Sequence, residues 1–449
     1  MLNLTKYLSF NSLDRTEKAK LNIVLSIFIK GFTILISLFL VPLTLGYLNV
    51  YEYGVWLTLS SILMWINYFD IGLGNGLRNK LTETLAVGNK QLGQIYVSTT
   101  FFILTIIVGF IYLLFFVSNF WLDWNVILNV SNGTVSNLNN LVSIVFALFC
   151  ISFVLKFIGN VYMADQLPVI NDLLLLFGNV LALVVIYILT LFTNGDLSKV
   201  AITFSITPVI VYLLAYYLTF YRKYTYLRPN FKYVKLIYSK ALMGLGVQFF
   251  IIQIACLLIF TTSNVLISQL FGPEVVTPFN IAFKYYSILT MAFNIVITPM
   301  WSAITDAFVK GDNKWIKKSM KQIFIIWAAL VIFTMFMVVI SNQIFILWVG
   351  QDVKIHISLS IFMGFYVTIS NFDNIFAYFI NGVGKIRLQL YIAVITGLLF
   401  IPLSIILGKM FGVNGVILSM TLVLVPSAIL LPMQYFKIIN GTAKSIWNK

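Results

Sequence analysis

The sequence predicts an all-α integral membrane protein of about twelve transmembrane helices, on three observations. Of 449 residues, 60% are hydrophobic and only 10% charged, against about 25% charged in a soluble globular chain. Apolar runs of roughly the 20 residues that a bilayer-crossing helix needs recur along nearly the whole length. The short breaks between them alternate between strongly basic and nearly free of Lys and Arg.

The apolar runs place spans near 21–46, 52–76, 95–119, 140–163, 169–192 and 200–221 in the first half. Six more follow near 241–269, 276–304, 322–348, 356–380, 388–408 and 414–436. No break has room for a soluble domain. The first twenty residues carry Lys6, Asp14, Arg15, Glu17, Lys18 and Lys20, too polar for a signal-peptide core, so the N-terminus is expected to be retained.

Of the 29 Lys and Arg residues, 23 fall on one side of this map, and Lys199, Lys354 and Lys409 on the other; Lys30, Lys156 and Lys284 lie within spans. The positive-inside rule then predicts that both termini are cytoplasmic. Topology and contact with anionic lipid headgroups account for most of the net charge of +15, so membrane lipids, not nucleic acid, are the expected partners of these cations.

Two segments recur at half the chain length. Leu48-Asn49-Val50-Tyr51-Glu52-Tyr53-Gly54 and Leu270-Phe271-Gly272-Pro273-Glu274-Val275-Val276 place their glutamates 222 residues apart. Thr82-Glu83-Thr84-Leu85-Ala86-Val87-Gly88-Asn89 and Thr305-Asp306-Ala307-Phe308-Val309-Lys310-Gly311-Asp312 match at an offset of 223. A duplication follows: a six-helix bundle over 1–221, a basic cytoplasmic linker over 222–240 and a second six-helix bundle over 241–449. An even number of spans per half relates the bundles by a pseudo-two-fold axis along the membrane normal. Transporters so built bind substrate near the midplane and rock one bundle against the other.

An ionised side chain at mid-bilayer costs roughly 2.5–3.5 kcal/mol on insertion scales, so each one needs a partner or a job. Lys30, Lys284 and Lys156 are the candidate substrate-binding cations, Lys284 with aromatic neighbours in Phe279-Asn280-Ile281-Ala282-Phe283-Lys284-Tyr285-Tyr286. Asp70 and Asp373 are the anionic counterparts, candidates for ion coupling or, at Asp70 before Gly72, Gly74 and Gly76, for a hinge. The alternative is that these charges form interhelical ion pairs that only hold the bundle together, Lys30 with Asp70 being the obvious pair. Prolines at 42, 208, 278, 299, 402, 426 and 432 can kink spans for movement, although proline is also ordinarily common in membrane helices.

Catalysis is not expected. Gly382-Val383-Gly384-Lys385-Ile386 lacks the first glycine and the hydroxyl of a phosphate-binding loop. A single histidine, His356, cannot build a histidine metal site or a Ser/His/Asp set, and Cys150 and Cys256 lie in apolar runs. No catalytic residue, metal or cofactor is therefore assigned.

The run Val41-Pro42-Leu43-Thr44-Leu45-Gly46-Tyr47-Leu48, then Glu52-Tyr53-Gly54-Val55-Trp56, then Phe69-Asp70-Ile71-Gly72-Leu73-Gly74-Asn75-Gly76-Leu77-Arg78-Asn79-Lys80, resembles polysaccharide biosynthesis proteins of the Wzx-type flippase family. These belong to the multidrug/oligosaccharidyl-lipid/polysaccharide exporter superfamily. The resemblance is closest over roughly 20–100. It implies two six-helix bundles around a cavity in a bacterial cytoplasmic membrane. It further implies a polyprenyl-pyrophosphate-linked oligosaccharide as substrate, flipped outward for O-antigen, capsule or exopolysaccharide assembly alongside other polysaccharide-assembly membrane proteins. By depth, Lys30 and Lys284 fit the cationic cavity positions the resemblance implies. Two rivals stay open: an ion-coupled multidrug exporter of the same superfamily, and a membrane-embedded polymerase or glycosyltransferase, which the short outer breaks disfavour.

Overall fold

The structure, a computed structural model, describes residues 15–68, 73–131, 138–165, 167–243 and 262–448. Its regular elements are helices: α1 (Arg15–Tyr47), α2 (Val50–Met64), α3 (Leu73–Val87), α4 (Lys90–Ser118), α5 (Trp124–Leu128), α6 (Leu138–Leu155), α7 (Phe157–Ala164), α8 (Pro168–Phe192) and α9 (Leu197–Leu218). After three 3-10 turns come α10 (Ser239–Met243) and α11 (262–271). The remainder is α12 (Pro273–Val309), α13 (Asn313–Val349), α14 (Ile357–Val383), α15 (Arg387–Phe411), α16 (Val413–Leu422) and α17 (Val425–Ile439). Helices suit these sequences because in hydrocarbon every backbone N–H and C=O must be satisfied within the segment.

Among the described residues, nine helical segments are long and apolar enough to cross a membrane. Three expected spans differ. The one placed at 52–76 is α2 followed by a 3-10 turn at Trp65–Tyr68, with α3 running on from Leu73 to Val87. The one at 241–269 lies mostly outside the described residues. The one at 356–380 is α14, of full length but carrying Asn371, Asp373, Asn374 and Asn381, which lower its hydropathy. The span at 140–163 is interrupted at Lys156, and that at 414–436 breaks at Val423 and Leu424, where Pro426 cannot donate a backbone hydrogen bond.

The described residues group into two units. The first draws on Met1–Tyr47, Ile66–Asp123 and Val135–Phe249. Its core forms around Leu73, Leu77 and Leu81, one face of α3 at four-residue spacing, packed with Val97, Phe157, Ile158, Val161, Phe220 and Leu227. In this unit α1 packs along α8. The Tyr47 hydroxyl lies 2.7 Å from Thr193 Oγ1 and donates to the Asn194 carbonyl, also at 2.7 Å, so the C-terminal ends of α1 and α8 are pinned together and the helices run parallel.

The second unit draws on Leu48–Trp65, Trp124–Thr134 and Phe250–Lys449. Here α2 packs on α12, so close that a Cβ on Gly54 would sit 1.8 Å from the Pro273 carbonyl oxygen. Thr277 Oγ1 donates to the Val50 carbonyl at 2.7 Å. Short helix α5 is strapped to α11: Gln269 Nε2 donates to the Val126 and Ile127 carbonyls, Ser268 Oγ to Leu128 O, and Asn129 Nδ2 to Ser268 O, at 2.7–2.8 Å.

The repeat read from sequence is visible as structure. Gly88 ends α3 with φ +76° and Gly311 ends α12 with φ +71°. Asn89 N donates to Thr84 O at 2.9 Å, and Asp312 N to Ala307 O at the same distance. Asn89 then caps α4 by accepting from Leu92 N at 3.0 Å, as Asp312 caps α13 by accepting from Trp315 N at 3.0 Å. Two segments 223 positions apart thus fold into the same helix-stop, helix-start junction.

Candidate functional site

Lys30 lies on α1, 17 residues before Tyr47, hence roughly 26 Å along the helix from its pinned end at 1.5 Å per residue. Phe28, Phe32, Leu35 and Phe39 are all more than half exposed and form one stripe at helical spacing. At 100° per residue Lys30 falls on the opposite face. That face is buried further along, at Leu40, Val41 and Thr44, and open at Lys30, whose side chain is 60% exposed. A greasy stripe turned to lipid with a cation on the other side is the arrangement expected of a cavity-lining helix.

The carboxylate facing Lys30 is Asp172 of α8, with Nζ and Oδ2 3.9 Å apart and the aspartate side chain 14% exposed. Asp70, the partner considered from sequence, lies outside the described residues. Asp172 was missed because it stands one turn into its span, next to Pro168, where a charge reads as a span boundary. Its signal was its place on the i, i+1 polar pair Asn171-Asp172 inside an otherwise apolar helix. Asn171 itself packs tightly, its Oδ1 occupying the space a Cβ on Gly159 would need, which locks α7 to α8.

Lys156 sits exposed at the break between α6 and α7, eight residues from Ala164. With α6 and α7 running toward the side on which α8 begins, Lys156, Lys30 and Asp172 all belong to that half of the first unit.

In the second unit Lys284 is half-buried on α12, 11 residues from Pro273, roughly 16 Å along the helix and so about half-way through a 30 Å hydrocarbon core. It belongs to a polar stripe at helical spacing, Thr277, Asn280, Lys284 and Ser287. Asn280 Nδ2 donates to Asn264 Oδ1 at 2.8 Å, and Ser287 Oγ to the Lys284 carbonyl at 2.8 Å. Of its aromatic neighbours, Tyr285 and Tyr286 are buried in the packing, Tyr285 edge-on to Phe345 at 5.1 Å. Phe283 is the flank that keeps partial exposure.

Asp373 lies on α14. Its Oδ1 is buried and accepts no hydrogen bond from the described residues, as is true of Asn371 Oδ1, Asn381 Oδ1 and, on α12, Asn294 Oδ1. Ser427 is its polar neighbour. Buried oxygens left without donors are costly. Among the described residues no three His, Cys, Asp or Glu side chains come together as a metal cluster.

On the basic side of the first unit, several cations lie over aromatic rings. Lys223 Nζ lies 5.1 Å from the Tyr162 ring and 4.8 Å from that of Tyr224, Lys90 5.1 Å from Tyr226, and Arg228 5.0 Å from Tyr221. Tyr224 also donates a short hydrogen bond to Asp165. Burial first, and then that bond, push the Tyr224 hydroxyl far above its ordinary pKa.

No protein-family model matches the chain. Among solved structures, an inward-facing conformation of a multidrug resistance MATE family transporter of the MOP superfamily superposes with a TM-score of 0.75, covering 93% of this chain and 100% of that one at 14% identity. The fold is that of the MATE transporters. An outward-facing conformation of a multidrug resistance MATE family transporter gives 0.64 over 95% of each chain at 14% identity. The Vibrio cholerae MATE transporter VcmN gives 0.65 over 97% of this chain and 99% of that one, also at 14%. The MATE fold accounts for the twelve-helix, two-bundle reading. In sequence, the chain is similar to a Yersinia pseudotuberculosis protein named "putative O-antigen export protein", 24% identical over 79% of this chain and 81% of the relative. It is also similar to a Salmonella typhimurium protein named "putative O-antigen transporter", 21% identical over 82% and 85%. This chain is thus a multi-pass membrane protein with a transporter fold, and its relatives are named as transporters, not enzymes.

Proposed function

We propose that this chain flips a polyprenyl-pyrophosphate-linked oligosaccharide from the cytoplasmic to the outer leaflet of a bacterial inner membrane, for O-antigen, capsule or exopolysaccharide synthesis. The observation that carries the reading is Lys30, a cation on the face of α1 turned away from the phenylalanine stripe and exposed where the same face is buried further along. The names of the sequence relatives support the substrate class. With both termini cytoplasmic, the opening at Lys30 lies in the leaflet where the substrate is made.

In this mechanism Lys30, released from its contact with Asp172, binds the pyrophosphate, Lys156 assists from the same half of the membrane, and Lys284 holds the head group at mid-depth. The prenyl tail stays in lipid. Rocking of one bundle against the other exposes the head group outside. A head group of charge about −2 moving outward down a 100 mV, inside-negative potential gains roughly 4–5 kcal/mol, at about 2.3 per charge. Purified protein in vesicles, given labelled lipid-linked oligosaccharide and an imposed potential, tests this. Outward movement that slows severalfold when the potential is collapsed, with ion gradients held, is expected; an unchanged rate contradicts a potential-driven step.

A second reading, an ion-coupled drug exporter, is favoured by the undonated oxygen of Asp373, a site suited to a proton or cation. In that case Asp373→Asn abolishes efflux of cationic amphiphiles and leaves lipid-linked oligosaccharide untouched.

A further inference from the structure

The segment 222–240 is the most basic stretch of the chain. Residues 222–240 hold Arg222, Lys223, Arg228, Lys232, Lys235 and Lys240 with no Asp or Glu, and all six cations are exposed. The segment is nevertheless ordered along α4 by side chains spaced to receive it. Gln94 Nε2 donates to Arg228 O at 3.0 Å, Asn230 N to Ser98 Oγ at 3.1 Å, and Lys235 N to Thr99 Oγ1 at 3.1 Å. Phe231 meets Phe102 edge-on at 5.8 Å.

Between this strap and α4 lies a cavity of about 270 Å³ lined by Phe101, Phe102, Thr105 and Ile106 of α4 and by Pro229, Phe231 and Val234 of the linker, with Ser98 and Asn230 as its polar residues beside Thr105. Its size falls just under the roughly 300–1,000 Å³ of small-molecule sites. Its lining is almost wholly apolar, which suits part of a hydrocarbon chain and not a glycan. Counting 30 Å of hydrocarbon back from Ser118 at 1.5 Å per residue puts the membrane interface near Ser98. Ser98 and Asn230 therefore stand at headgroup level, and the apolar lining up to Ile106 descends into the acyl region.

Arg228, Lys232 and Lys235 each adjoin a lining residue, Pro229, Phe231 and Val234. Phe231 and Ile237 are more than 80% exposed, a combination of bare apolar and basic side chains that belongs at a lipid interface. We infer that this cavity binds one acyl chain of an anionic phospholipid of the cytoplasmic leaflet, with Lys232, Lys235 and Arg228 holding the phosphate. Lipid binding at this cavity is independent of the transported substrate.

The test uses the full-length protein in bilayers containing either phosphatidylglycerol or phosphatidylcholine, each with a photoactivatable group in the acyl chain, and maps the labelled residues by mass spectrometry. Labelling by phosphatidylglycerol is expected to concentrate at 98–106 and 229–234 and to exceed that by phosphatidylcholine. Lys232→Gln with Lys235→Gln should lower occupancy roughly 30-fold. Ile106→Trp, which fills the cavity and leaves the cations, should abolish labelling there; an unchanged unfolding temperature identifies a folded variant, and the lysine pair provides the second readout. Equal labelling by both lipids, labelling spread along the bundle, or no response to either variant would overturn the proposal. So would displacement by polyprenyl phosphate at a concentration where phosphatidylglycerol does not compete, which would assign the cavity to the substrate's tail.

Discussion

Lys30 and Asp172 face each other from α1 and α8 with Nζ and Oδ2 3.9 Å apart, the lysine largely exposed and the aspartate largely covered. At that distance and exposure the pair contributes little to stability. In the proposed mechanism this loosely held lysine is the cation available to an anion. Lys30→Ala is therefore expected to cut transport at least tenfold, as loss of a hydrogen bond to a charged group does, with the unfolding temperature nearly unchanged. The double variant Lys30→Ala, Asp172→Ala separates the two roles. If the lysine serves only to neutralise Asp172, removing both restores transport; the flippase account requires that it stay low.

Gly54 and Pro273 make the tightest contact between the repeated helix starts. A Cβ at 54 would fall 1.8 Å from a backbone oxygen and 2.6 Å from its carbon, neither of which is the end of a flexible side chain. Gly54→Val should destabilise by about 1–3 kcal/mol or more through overpacking and depress transport. Gly46→Ala, where nothing lies within 4 Å, should be harmless. Thermal unfolding of the two variants side by side checks the contrast.

The two junctions of the repeat allow an internal comparison. Gly88 and Gly311 both have φ above +70°, and neither has a heavy atom within 4 Å of an added Cβ, so an alanine meets backbone strain alone. Each substitution should cost about 1–2 kcal/mol, and the two costs should agree. Gly109→Ala, equally open but inside α4, should be neutral or stabilising by up to about 1 kcal/mol. Unfolding temperatures of the three variants give the ordering.

Tyr224→Phe removes the donor that Asp165 receives and leaves a partly buried carboxylate short of one hydrogen bond. A cost of about 1–3 kcal/mol follows. The additional variant Asp165→Asn in the same chain should recover part of it, because the charge that needed the donor is gone. Denaturation of the single and double variants measures the recovery.

Much of this architecture was legible in the sequence, and the reasons differ by feature. Helices and spans follow from apolar run length, because a bilayer imposes a single length scale. The repeat was legible because Gly88 and Gly311 each satisfy a local backbone requirement that few other residues meet. Features that depend on packing were not legible. The loss of a continuous helix after Met64, the break at Lys156 and the strap of α5 on α11 leave no trace in hydropathy. The partner of Lys30 was hidden because Asp172 stands near a span end, where a charge is cheap. Tyr285 and Tyr286 look alike in sequence to any cavity aromatic next to Lys284, and only their burial against Phe345 and neighbouring helices removes them from that role. Asp373 stood out in the sequence as a charge within a span, but that its Oδ1, with those of Asn371 and Asn381 on α14 and Asn294 on α12, is buried without a donor among the described residues emerges only in the folded helices.

The most direct measurement is the leaflet distribution of lipid-linked oligosaccharide in a strain lacking this gene, with wild type, Lys30→Ala and Lys284→Ala returned separately. The account predicts that complete units accumulate on the cytoplasmic leaflet, that wild type clears them and that neither lysine variant does. Normal outward delivery in the deleted strain, with no redundant transporter present, would contradict it.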